Sequence, residues 1–342
     1  MAVTPQTNTT LEEIAVQLSQ HDNFALCGHV SPDGDCLGSQ LALAFALKAM
    51  GKQVTCLLAK DEPVDATLKF IPGIDALVPA AKFDGSVETF VALDVPTRER
   101  MGQDAARVLD EAAFTVTVDH HAVDSTMTQL VYEDPDSAST SVLVWKLCKL
   151  LLEDIPTECA VCAYTGLATD TGNFQYQNAD AIAFTAAAEM VRAGADPAQV
   201  ARNVSQNRSL ASLLLDARSL QHMRLFNDGT CVVSWISDAD MRETGAEKPD
   251  TEPLVNTLRS IRGVQVACML REQDGHVRGS LRAKGDADVA QVARAFGGGG
   301  HKAAAGFTMD PPLAQAVETV IAAINEAFDN GAAFCAEAEA QA

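Results

Sequence analysis

Four places in this 342-residue chain collect carboxylates and imidazoles where an apolar stretch ends. Asp119, His120 and His121 close the run AFTVTVDHH, in which Phe114, Val116 and Val118 alternate with Thr115 and Thr117. Such alternation of aromatic and β-branched residues favours extended chain. His29 ends the apolar run that begins FALC, and Asp33 and Asp35 follow it in a Pro/Gly turn ahead of an apolar, helix-like segment. Asp94 ends the run VAL within ETFVALDV, and Asp170 ends the apolar stretch that reads TGLATD.

Each group alone has an ordinary explanation. A His at a strand end is commonly a hydrogen-bonded surface residue, and Asp-Gly favours turns without any ligand. The carboxylates are harder to dismiss. Asp94 is costly if ionised and unpaired in an apolar setting, and a helix dipole disfavours a carboxylate such as Asp170 at the carboxyl end. Taken together the eight groups form a donor set without thiolate, which suits Mn²⁺ or Mg²⁺ better than structural zinc. Converging acids would repel one another without cations. Two cations about 3.5–4 Å apart can share a carboxylate and activate a water for in-line attack on phosphorus. Adjacent residues at a strand end point to different sides, so His120 and His121 are not expected to be equivalent ligands.

The elements that must position these groups read as alternating strand and helix. Residues 24–30, 53–59, 88–95 and 113–119 read as strands, and residues 37–51, 139–153, 157–169, 180–193 and 208–226 as helices. This alternation predicts an α/β fold with a mostly parallel sheet flanked by helices, whose sites form at the carboxyl ends of the strands. After Asn227-Asp228-Gly229 the pattern shifts to strands at 230–236, 264–270 and 276–283 with helices near 251–260, 287–295 and 312–328. The expected domains are therefore 1–226 and a smaller α/β domain at 227–332, with a fraying tail at 333–342.

Net charge is −21, which repels polyanions at long range and argues against long nucleic acid as the main partner. Residues 251–306 depart from this, with eight Lys and Arg against five Asp and Glu, +3, leaving −24 on the remainder. That segment contains four consecutive glycines, Gly297 to Gly300. Glycines let a chain approach a ligand closely and offer bare N–H groups to an anion. His301, Lys302 and Arg282 add charge nearby, and a guanidinium binds phosphate bidentately. No apolar run approaches the roughly 20 residues of a membrane span, and the N-terminus lacks the pattern of a secretory signal. Nine cysteines without framework spacing suit a reducing cytoplasm. Cys159 and Cys162 form a CxxC pair inside a helix-like apolar stretch, where a core role is expected.

These residues resemble the DHH phosphoesterase superfamily. The likeness rests on HVSPDGD at 29–35, Asp94, DHH at 119–121 and Asp170, and runs from about residue 10 to 330. The segment GSLRAKGDADVAQVARAFGGGGHKAAAG at 279–306 looks like the DHH-associated domain. Length and motif order are most similar to the nanoRNase/pAp phosphatase branch. Its members degrade very short oligonucleotides and dephosphorylate 3′-phosphoadenosine 5′-phosphate (pAp). The resemblance implies two divalent metal ions, Mn²⁺ foremost and Mg²⁺ as an alternative. His29, Asp33 and Asp94 would hold one; Asp35, Asp94, His120 and Asp170 would hold the other. Asp119 would orient a His, and His121 would face the scissile phosphate. The expected substrate-binding groups are Arg282, Gly298, Gly299, Gly300 and His301 on the second domain, with the active site in the cleft between the domains. Expected partners are short oligonucleotides, dinucleotides and pAp, with no membrane and with room for a homodimer. A RecJ-type exonuclease, a DHH-type inorganic pyrophosphatase and a linear or cyclic dinucleotide phosphodiesterase share the metal set. A catalytically silent nucleotide-binding module is the reading from another class, and the full set of ligands argues against it.

Overall fold

The computed structural model describes residues 4–329 apart from 124, 286 and 311. The side chains of His301 and Asp329 and the expected tail at 333–342 lie outside the described residues. The chain divides into two compact units between Asn207 and Arg208.

The first unit is built on six parallel strands: β1 (Asn23–Cys27), β2 (Gln53–Leu58), β3 (Val78–Pro79), β4 (Thr89–Leu93), β5 (Phe114–Asp119) and β6 (Leu130–Glu133). Their order is β3-β2-β1-β4-β5-β6. In chain order the helices are α1 (Leu11–Gln20), α2 (Gly34–Ala49), α3 (Arg98–Met101), α4 (Gln103–Glu111), α5 (Thr140–Leu151), α6 (Thr157–Asp170), α7 (Ala181–Arg192) and α8 (Pro197–Ser205). Both faces of the sheet are covered, which is why its strands read as continuous apolar runs. Phe24, Leu26, Val91, Leu93, Val116 and Val118 enter the core shared with α1, α2, α5, α6 and α7. Ala25, Cys27, Phe90 and Ala92 enter the opposite core, under α4.

The strand order reverses between β1 and β4. In doubly wound sheets that reversal opens a crevice beyond the carboxyl ends of the two strands. Asp33 starts α2 at this point, its Oδ1 accepting the N–H groups of Asp35 and Cys36 at 3.0 Å each. Helices α2, α5 and α6 pack closely because glycines stand where they cross. A Cβ on Gly38 would lie 2.5 Å from the Cys162 carbonyl oxygen, and one on Gly166 only 2.0 Å from Ser141 Oγ and 2.8 Å from Asp35 Oδ1. The amino ends of α2 and α5 and the carboxyl end of α6 therefore meet at the crevice.

The second unit opens with α9 (Leu210–His222) and continues through β7 (Arg224–Phe226), β8 (Cys231–Ile236), α10 (Asp238–Thr244), α11 (Leu254–Arg259), β9 (Val266–Gln273) and β10 (His276–Ala283). It ends with α12 (Val289–Ala295), β11 (Gly299–His301), β12 (Ala304–Met309) and α13 (Leu313–Asp329). The mixed sheet runs β11-β12-β10-β9-β8-β7, with β8 and β9 as its parallel pair.

One expectation needs correction here. The helix expected over 208–226 stops at His222, and residues 224–226 pair antiparallel with β8. Asn227, Asp228 and Gly229 all have positive φ and form the turn of that hairpin. Leu215 of α9 is buried with Val232, Ala267 and Met269 of the second sheet. By its contacts the second compact unit begins at Arg208. The glycine run continues into the edge strand β11 paired with β12.

Candidate metal centre

β1 and β4 are parallel neighbours, so the residues just past them are delivered to one place. Asp94 follows β4 directly and adopts a left-handed backbone (φ 56°), which few non-glycine residues do, Asp among the more tolerant. Its N–H bonds to the Val118 carbonyl at 3.3 Å, and its side chain is buried. The two carboxylate oxygens of Asp94 face different partners. Oδ2 lies 3.5 Å from His29 Nε2, and Oδ1 lies 3.5 Å from His120 Nε2.

Around each oxygen the remaining donors assemble. Asp33 Oδ2 is 3.9 Å from His29 Nε2. His120 Nε2 is 3.4 Å from Asp170 Oδ2 and 3.9 Å from Asp35 Oδ2. These separations are long for hydrogen bonds. They match donors grouped about one cation at roughly 2.0–2.2 Å, where neighbouring ligand atoms stand about 3 Å apart and opposed ones about 4 Å. Nitrogen and oxygen donors, buried carboxylates facing one another and the spacing all fit divalent cations.

The neighbours of these side chains hold them in place. Asp35 lies across the amino end of α5, its Oδ2 accepting from Thr140 N–H at 2.7 Å and its Oδ1 from Ser141 N–H at 2.8 Å. A helix amino end favours such an anion. The Thr140 hydroxyl donates to Asp94 Oδ1 at 3.1 Å. Asp119 Oδ1 accepts from the His121 backbone N–H at 2.8 Å and meets His121 Nδ1 at 2.7 Å. β5 ends at Asp119, and the two rings lie together with centroids 4.6 Å apart. Nδ1 of His121 is also 3.6 Å from Asp94 Oδ1.

The electrostatics follow from burial and crowding. Burial, then the charge of Asp94, pushes Asp35 up to about 7. Burial and the charge of Asp35 likewise raise Asp170 well above the usual carboxylate range. Burial works against ionisation of Asp94 too, yet the His29 hydrogen bond and the charges of His120 and His121 win and hold it down to about 2. His120 is opposed by burial and still pushed up to about 9 by Asp170, Asp35 and Asp94. Without cations, protons take over the task of neutralising these acids.

All eight groups singled out in the first unit come together here. The other five lie in the second unit. Arg282 is half-buried on β10, its guanidinium bonding the Leu281 carbonyl at 3.0 Å. A Cβ on Gly298 would stand 2.2 Å from the Gly306 carbonyl oxygen and one on Gly300 2.5 Å from that of Ala304, so both glycines serve the close approach of β12. A Cβ on Gly299 would meet open space. His301 ends β11, and its side chain lies outside the described residues. Sequence reasoning missed Ser139, Thr140 and Ser141, although Ser-Thr-Ser ahead of an apolar run is a helix-start signal. It also missed Cys36, which stands with His29 and Asp94.

A doubly wound sheet with His and Asp converging at its switch point, followed by a smaller mixed-sheet unit, defines the class. A family model described as the DHH family N-terminal domain matches residues 23–167, and one described as the DHHA1 domain matches 228–330. This chain belongs to the DHH family of phosphoesterases. Asp170 lies just past the first match. The bifunctional oligoribonuclease and PAP phosphatase NrnA of Thermus thermophilus is 32% identical to it, over 87% of this chain and 88% of that protein. The protein of the same description from Bacillus subtilis is 25% identical over 87% and 92%. Among solved structures, an exopolyphosphatase-related protein from Bacteroides fragilis superposes with a TM-score of 0.88 at 26% identity, covering 94% of this chain and 98% of that one. No helix among the described residues is long and apolar enough to cross a membrane.

Proposed function

We propose that this chain uses two divalent cations, Mn²⁺ foremost, to hydrolyse short oligonucleotides to nucleoside 5′-monophosphates and to remove the 3′-phosphate of pAp. The observation that carries the two-cation reading is Asp94, whose two oxygens each face a separate His at 3.5 Å. In this reading His29, Asp33 and Asp94 hold one cation, and Asp35, Asp94, His120 and Asp170 hold the other. Cations bound there supply the charge that activates a water and stabilises the phosphoryl oxygens.

His121 is held at Nδ1 by Asp119. It faces the scissile phosphate as a hydrogen-bond donor and proton source, and Asp119 positions it and stabilises its charged form. Arg282, Gly298, Gly299, Gly300 and His301 hold the remainder of the ligand through guanidinium and backbone N–H contacts. The substrate class is supported by the Thermus thermophilus and Bacillus subtilis relatives. All proposed ligands come from one chain, so the reading holds for a monomer or a homodimer. A cytoplasmic location belongs to the same proposal: the eight described cysteines are free, as a reducing compartment requires.

The test is a turnover comparison of the Mn²⁺-loaded protein on pAp, dinucleotides, longer RNA, cyclic dinucleotides and pyrophosphate. Chains of about two to four nucleotides and pAp are expected to be fastest, because the acidic bulk of the protein repels an extended backbone. A long single strand degraded as fast as a dinucleotide would move the assignment to a RecJ-type exonuclease. Fastest turnover of pyrophosphate or of a cyclic dinucleotide would move it to those activities. Cation binding with no turnover of any substrate would leave a silent binding module.

A further inference from the structure

Cys36 follows Asp35 in the first turn of α2 and is 1% exposed. Its backbone N–H donates to Asp33 Oδ1, a carboxylate of the same crevice. The thiol lies over Gly28, between β1 and β4. A Cβ on Gly28 would stand 2.1 Å from Cys36 Sγ and 2.9 Å from the Leu93 carbonyl oxygen. Gly28 has no left-handed backbone to justify it, so what it supplies is room for the sulfur. The sulfur of Cys36, a ring nitrogen of His29 and a carboxylate oxygen of Asp94 lie within 4.8 Å of one another, and all three residues are buried. A thiolate binds a cation such as zinc at about 2.3 Å and an imidazole at about 2.0–2.1 Å, so two such donors on a tetrahedral cation stand about 3.5 Å apart.

We propose that the His29–Asp94 pocket carries the Cys36 thiol as a further ligand, so that it accepts a thiophilic divalent cation such as Co²⁺, Zn²⁺ or Cd²⁺ besides Mn²⁺. This rests on the reading of the pocket as a cation site. Sulfur donors select softer cations, whereas carboxylates and imidazole alone leave hard ones in contention. The neighbouring group of Asp35, His120 and Asp170 has no sulfur. The two pockets are therefore unlike, and the first tolerates softer ions better than the second. On ligation the S–H bond breaks, the sulfur–cation bond forms and the proton leaves to solvent.

The full chain, stripped with a chelator, is titrated with Co²⁺ and followed by absorption. Visible ligand-field bands report cobalt bound by any donors, and a near-ultraviolet sulfur-to-cobalt band reports thiolate. The near-ultraviolet band should appear with the first cobalt bound. It should vanish in both Cys36→Ala and Cys36→Ser while the visible bands persist, which also shows that these variants retain the folded site. Affinity for Cd²⁺ relative to Mn²⁺ should fall in both variants by at least the roughly ten- to hundredfold seen when even an outer partner of a metal ligand is lost. Visible bands without the near-ultraviolet band in the wild-type protein, or a near-ultraviolet band that survives both substitutions, would overturn the role of Cys36. Absence of all cobalt bands from the wild-type protein would overturn the cation pocket itself.

Discussion

Asp119 grips His121 twice with one oxygen, at the backbone N–H (2.8 Å) and at ring Nδ1 (2.7 Å). His120, its neighbour, has no such clasp and turns Nε2 to Asp170, Asp94 and Asp35 at 3.4, 3.5 and 3.9 Å. In the proposed reading His121 serves the substrate and His120 a cation. His121→Ala should lower kcat by about 10²–10⁴-fold, the usual worth of positioned proton transfer, with Mn²⁺ content nearly unchanged. His120→Ala should lose Mn²⁺. Metal analysis beside turnover separates the two, and equal loss of Mn²⁺ in both variants would contradict the division.

Gly166 is the contact on which the geometry of Asp35 depends. The space a Cβ would need is filled by Ser141 Oγ at 2.0 Å and Asp35 Oδ1 at 2.8 Å. Gly166→Ala should cost about 1–3 kcal/mol by overpacking. It should also weaken Mn²⁺ binding, because the Asp35 carboxylate must shift from its place. Thermal unfolding and a Mn²⁺ titration check both effects. A variant that loses neither stability nor affinity would show that the three helices adjust freely at this crossing.

The site also sets a pH dependence whose sign changes with metal. Asp35 and His120 have folded values raised to about 7 and about 9, so the folded protein binds their protons more tightly than the unfolded chain. Their stabilising contribution is complete below their unfolded values and is lost as pH rises through the folded ones. Asp94, lowered to about 2, adds stability already complete above its unfolded value and stays constant across neutral pH. With chelator present, Tm should therefore fall between pH about 5 and about 9. With excess Mn²⁺ the gain in Tm should grow over the same range, since cations bind the deprotonated ligands. Melting curves with chelator and with Mn²⁺ at several pH values test this. A metal-induced gain that shrinks with rising pH would contradict it.

Much of this was legible from one dimension because both faces of the first sheet are buried. β1, β2, β4 and β5 therefore stand out as apolar runs, and the ligands follow their ends. Contacts between helices were not legible. Gly166, Ser141 and Asp35 are far apart in the chain, and nothing local marks them as neighbours. Residues 224–226 were read as helix because Arg-Leu-Phe carries no strong period. β11 escaped because glycines have no side-chain alternation to detect. Cys36 was hidden by its type: a buried thiol reads as one more apolar residue until the strands bring Gly28 and Asp94 beside it.

The most direct test of a shared carboxylate is electron paramagnetic resonance of the protein loaded with two equivalents of Mn²⁺. Two ions bridged at about 3.5–4 Å interact through the bridge. The expected wild-type spectrum is that of an exchange-coupled pair. In Asp94→Ala, coupling should be lost, Mn²⁺ binding weakened and turnover abolished while the fold persists. A wild-type spectrum of isolated Mn²⁺, or coupling and turnover that survive the loss of Asp94, would contradict the two-cation centre.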